Sequence, residues 1–140
     1  MKTTLLSTLL LVTTAFAHGP AFSQQRADFG KRQYDAACAV CHGAKGQGDG
    51  PYAGIVNTRI ADLTTLAKRN AGMFPFQRVF EVIDGSQTMQ AHGTRDMPIW
   101  GREYRLEAGS AYFDTPYDPE TYVRTRILAL TEYVSRLQAK

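Results

Sequence analysis

Cys38-Ala39-Val40-Cys41-His42 is the stretch on which the reading of this 140-residue chain turns. Two cysteines three positions apart, followed directly by histidine, make a C-x-x-C-H pattern, the signature of covalent haem attachment. In a helical turn, positions three and four apart share a face, so Cys38, Cys41 and His42 can meet one bound disc together. The two thiols add across the haem vinyl groups. The adjacent imidazole is then held under the iron, where one ring nitrogen ligates the metal while the other donates to a nearby acceptor.

Three other uses of paired cysteines compete with this one. A thioredoxin-like dithiol needs a strand and a βαβ setting, which the sequence lacks, and a zinc site needs a second Cys or His pair. The remaining histidines, His18 and His92, are isolated. A structural disulfide is the blandest alternative, but three-residue spacing on a helix would close a very small loop. The cofactor expected is therefore one covalent haem c, held by Cys38 and Cys41 with His42 on the iron.

A second axial ligand separates an electron carrier from a five-coordinate, gas-binding haem. Met73, Met89, Met97 and His92 are the candidates. Met97 is favoured because Met97-Pro98 lies in an irregular stretch between Gly93 and Gly101, and a loop can carry a side chain across the far face of the disc. Met89 follows closely on the helix stop at Gly85 and reaches the same side. Met73 precedes Pro75 and reads as a core gap-filler. A His92 ligand would give a lower-potential bis-histidine haem.

Outward from the motif, residues 28–38 have helical periodicity, with Asp28 as cap and Phe29, Tyr34 and Ala37 assigned to one face. Gly43, Gly46, Gly48, Gly50 and Pro51 exclude continuous helix after it and predict a tight loop. A short helix is predicted around 63–69. A clearer one follows from Pro75 to Asp84, with Pro75 in its first turn, Gly85 as its stop and Phe76, Val79, Phe80 and Ile83 as its apolar face. From 87 to 118 no sustained period is visible. Asp118-Pro119-Glu120 then starts a last helix reaching about Gln138, in which Val123, Ile127, Leu130, Val134 and Leu137 form a narrow stripe. There is no useful strand-like alternation and no internal repeat, so the fold class is all-α, with long loops that require something to fill the middle.

The chain length suits one domain. Its start is different in kind: Lys2, an apolar run from Leu5 to Phe16 and the small-residue site Ala15-Phe16-Ala17 read as a secretory signal peptide at 1–17, with cleavage as late as 23. The apolar run is too short for a membrane span. No cysteine lies in it or just after it to take a lipid anchor. Residues 18–27 read as a flexible lead and 28–140 as the domain, with no membrane span in the mature chain. The formal charge of +3 falls by one with Lys2 and by two more with the haem propionates, so nothing signals nucleic acid.

Taken together, Gly30, Tyr34, the C-x-x-C-H of Cys38 to His42, Met97-Pro98 and a terminal helix containing Tyr133 resemble the class I cytochromes c. The likeness runs from about Asp28 to Gln138. It implies a cytochrome c-like fold in which helices and long loops wrap one haem. The first and last helices would cross at Gly30, with Tyr34 and Tyr133 as aromatic contacts. It further implies a Pro51 carbonyl accepting from His42, and Trp100 with Arg59, Arg69, Arg102 and Arg105 near the propionates. The segment from Arg102 to Asp118 is longer than the minimal pattern and would cover a haem edge or dock a partner.

With both axial positions filled by protein, the expected function is reversible one-electron transfer in the periplasm, not enzymatic catalysis. A buried haem with a methionine ligand predicts a positive potential. Redox proteins would serve as donor and acceptor. Two other functions stay open: the electron-accepting subunit of a periplasmic oxidoreductase complex, and a gas sensor if Met97 can be displaced.

Overall fold

The computed structural model describes residues 28–86, 97–111 and 118–139; the proposed leader and lead-in, Met89 and His92 lie outside them. Every regular element among the described residues is helical, so the all-α class holds. The motif follows directly on the first helix, α1 (Phe29–Ala37), which Asp28 caps by accepting from the Lys31 N–H at 3.0 Å. Gly30 and Tyr34, four apart, are its buried face. Phe29 is 38 % exposed, contrary to expectation. At about 3.6 residues per turn, five positions set it well away from Tyr34.

The last helix, α5 (Pro119–Arg136), starts as its sequence dictates. The Asp118 carboxylate accepts from the Glu120 and Thr121 N–H groups at 3.1 and 3.2 Å, and Pro119 occupies the first helical position. Val123, Ile127, Leu130 and Val134 are buried, as the stripe predicted. The helix stops two residues short of Gln138 because that side chain has another use. It donates to the Leu63 carbonyl at 2.8 Å and accepts from the Ala67 N–H at 2.8 Å, tying the middle of the chain to the end of α5.

Helices α1 and α5 cross so closely that a Cβ on Gly30 would collide with the Ala129 carbonyl oxygen and lie 3.0 Å from Tyr133 Cβ. The rings of Tyr34 and Tyr133 pack beside the crossing with centroids 5.0 Å apart. Gly30→Ala is accordingly expected to destabilise the protein. Overpacking against main chain costs about 1–3 kcal/mol, and the gain in helix propensity of about 1 kcal/mol offsets only part of it. Denaturant unfolding of the haem-loaded protein should show a lower midpoint at unchanged slope.

Between these helices the chain departs from expectation in two places. The predicted helix over 63–69 is a pair of 3₁₀ turns, Leu63–Thr65 and Lys68–Asn70. Asp62 spends its carboxylate on the Thr64 N–H and hydroxyl at 2.8 and 2.6 Å, and Ala71, at φ 53°, turns the chain away. The helix α3 (Phe76–Asp84) begins after Pro75, which is non-helical and acts as its cap, and ends at left-handed Gly85 as predicted. Ile83 is buried, whereas Phe76 is 40 % exposed.

The second departure is a further helix, α4 (Trp100–Ala111), where no period was legible. Its buried face is only Gly101, Tyr104 and Ala108, following Trp100. Gly101 is required because a Cβ there would meet the Asp84 main-chain oxygen at 2.5 Å. Arg105 grips Glu120 through two bonds of 2.6 and 2.9 Å, joining α4 to α5. Arg126 joins three helices: its guanidinium lies 4.6 Å from the Tyr104 ring and 4.9 Å from the Tyr122 ring, pairs with Glu107, and donates to Gln33 Oε1 at 2.8 Å.

Candidate functional site

Cys38 ends α1, and the chain re-enters a single helical turn, α2 (Ala39–His42). The Cys41 and His42 N–H groups both reach the Cys38 carbonyl, at 3.1 and 2.8 Å, which closes the turn and brings the two sulfurs and the imidazole to one wall. The glycine-rich loop then folds back on it. Gly50 N–H donates to the Cys41 carbonyl at 3.1 Å and Tyr52 N–H to the Val40 carbonyl at 2.9 Å. A Cβ at Gly50 would lie 2.5 Å from the Val40 oxygen, so only glycine lets this strap lie flat against the motif. From behind, Tyr34 donates its hydroxyl to the Gly43 carbonyl at 2.7 Å.

His42 is oriented by Nδ1, which donates to the Ala61 carbonyl at 3.0 Å. The acceptor implied by the family resemblance, Pro51, is exposed and does not take this bond. Burial holds the His42 pKa below the ordinary imidazole value, partly offset by the bond to Ala61. A neutral ring with Nδ1 occupied as donor leaves Nε2 with a lone pair, the state that metal ligation needs. The Cys38 thiol is pushed up to about 12 by burial, with Cys41 adding to the effect.

These three side chains face a cavity of about 1150 Å³, larger than the ~300–1,000 Å³ of ordinary small-molecule pockets. Its walls are largely apolar: Ile60, Leu63 and Leu66 from the middle segment, Val79, Val82 and Ile83 from α3, and Leu130 and Val134 from α5. Met97, Pro98 and Trp100 are also part of the lining. Met97 is half-buried and packs against the core. Met73 is 69 % exposed and not part of the wall, so it is neither core filler nor near the imidazole.

Among the described residues, Arg59, Arg69 and Arg78 also line the cavity, with Asp62 as the one acidic residue. Asp62 is already engaged by Thr64, and Arg69 uses its main-chain oxygen at 2.9 Å. An apolar slot with an excess of cations suits a flat apolar group bearing two carboxylates, and the two cysteines and the histidine suit its attachment. The residues present therefore fit haem. Of the arginines named from the sequence, Arg59 and Arg69 reach this cavity, whereas Arg105 is committed to Glu120 and Arg102 is exposed on α4. Arg78 was missed, although it stands four residues before Val82 on the same face of α3.

A helical shell around such a cavity, with a C-x-x-C-H turn on one wall, is the framework of a haem protein. A family model described as cytochrome c matches residues 27–112, more than half of the chain, and the protein belongs to the cytochrome c family. That family works by haem-based electron transfer. Comparison with curated proteins and with solved structures yields no significant match.

Proposed function

We propose that this chain is a periplasmic one-electron carrier with a single haem c, joined through Cys38 and Cys41 and ligated by His42 and Met97. The observation that carries this reading is that Met97, distant in sequence, lines the same cavity as the C-x-x-C-H turn. When bound, haem supplies an iron that cycles between ferric and ferrous states. The chain does the rest. Ala61 fixes the His42 ring so that Nε2 is presented. Leu63, Leu66, Val79, Val82 and Ile83 exclude water and favour the less charged ferrous state.

Arg59, Arg69 and Arg78 balance the propionates. Export rests on the leader at 1–17. No described helix is long and apolar enough to cross a membrane. Partners are redox proteins, one donor and one acceptor.

Potentiometric titration with added carbon monoxide tests the proposal. A single reversible one-electron wave at positive potential, with no rapid binding of carbon monoxide to the reduced protein, is expected. Rapid binding would contradict it and favour the gas-sensing function. A stable complex with an oxidoreductase in a native pull-down would point to a subunit role.

A further inference from the structure

The end of α3 and the start of α4 lock into each other through two glycines. A Cβ on Gly85 would collide with Ile99 Cγ2 and lie 3.3 and 3.4 Å from its Cβ and Cγ1, so the β-branch of Ile99 rests directly on the Gly85 main chain. In return, a Cβ on Gly101 would meet the Asp84 main-chain oxygen at 2.5 Å. Each half of this interlock follows directly on the cavity wall: Val82 and Ile83 line it just before Asp84 and Gly85, and Met97 and Pro98 line it just before Ile99. Ile99 itself is not in the wall. It is 37 % exposed, so its seat on Gly85 is a matter of shape more than of burial.

The main chain carries this seat to Met97 with little slack. The Ile99 carbonyl accepts from the Arg102 and Glu103 N–H groups at 3.0 and 3.2 Å, which ties the residue to the first turn of α4. On its other side, Pro98 has a fixed φ and restricts Met97 to extended backbone, so a shift of Ile99 passes to Met97 instead of being absorbed. We propose that Ile99 is a positioning residue for Met97: seated on Gly85, with Asp84 seated on Gly101, it sets how far the Met97 sulfur reaches into the cavity. This rests on Met97 being the sixth ligand, as proposed above. Loosening the seat frees the sulfur part of the time, and the apparent affinity for an external ligand rises with the fraction of molecules whose sixth position is open.

The haem-loaded full chain is to be compared with Ile99→Val, Ile99→Leu, Ile99→Ala and Gly30→Ala. Valine keeps Cβ, Cγ1 and Cγ2, the atoms nearest Gly85, whereas leucine keeps the bulk of the side chain without the branch at Cβ. Alanine removes the branch and cannot overpack the seat. Ile99→Val should match the native protein. Ile99→Leu and Ile99→Ala should stay folded and haem-bearing, weaken the sulfur-to-iron charge-transfer band, and raise the apparent affinity of the reduced protein for carbon monoxide about three- to tenfold. Gly30→Ala, which loosens the α1–α5 crossing instead, should lower stability and leave both readings native. Native readings in Ile99→Leu and Ile99→Ala, or equal changes in these and in Gly30→Ala, would overturn this inference alone. So would an Ile99→Val protein that loses the band. A native protein with covalent haem but no sulfur band would overturn it together with the Met97 ligation on which it rests.

Discussion

Replacing Cys38 and Cys41 together by alanine is expected to yield a chain that neither retains haem nor holds this fold. The helices meet each other at the α1–α5 crossing, but the middle segment, α3 and Met97 meet across a cavity of about 1150 Å³. An unfilled cavity of that size leaves its apolar walls without packing partners, and each Val, Leu or Ile side chain left so forgoes about 1.5–3 kcal/mol, against a net stability of about 5–15 kcal/mol for an ordinary domain. Water entering the open side relieves part of this but cannot satisfy walls made of Val79, Val82, Ile83, Leu130 and Val134. Intact mass and far-ultraviolet circular dichroism check the outcome. The variant should lack the haem mass and most of its helical signal, while a helical, haem-bearing variant would show that the cysteines are dispensable.

Met97→Ala should act in the opposite way, sparing the fold and changing the iron. The helix that follows Met97 is held independently, by the close approach of Gly101 to Asp84 and by the Arg105–Glu120 pair. The side chain itself is only half-buried. The variant should therefore stay folded and haem-bearing, with an open sixth position. Its reduced form should bind carbon monoxide on mixing. Its potential should fall by on the order of 0.1 V, a modest part of the ~0.8 V range that axial ligands control. A variant with unchanged potential and no affinity for carbon monoxide would assign the sixth ligand elsewhere.

What was legible in the sequence was local. The caps Asp28 and Asp118, the stop at Gly85 and the apolar stripe of α5 are read from residues within a few positions of one another, and each is found in place. The C-x-x-C-H turn is of the same kind. Helix α4 escaped because its buried face is narrow and carries Gly101 and Gly109, which lower helix propensity. Its stability comes from Asp84, Glu120 and Arg126 on other elements.

The acceptor for His42 is a main-chain oxygen nineteen residues away in the sequence, set by how the loop returns and not by any side chain at Ala61. Pro51 was the nearer guess, and it faces solvent. Met73 illustrates the same limit: an apolar residue beside Pro75 reads as core, yet the turn at Ala71 carries it outward. The buried hydroxyl of Tyr104, which has no hydrogen-bond partner among the described residues, has no sequence signal at all, because it is defined by what surrounds it.

The central claim is that His42 and Met97 close on one covalently held haem, and the most direct test is the visible and near-infrared spectrum of the native protein matured in a bacterial periplasm. The account predicts sharp reduced c-type bands together with a weak sulfur-to-iron charge-transfer band in the ferric form. Covalent haem without that sulfur band would contradict ligation by Met97, and no covalent haem at all would contradict the claim entirely.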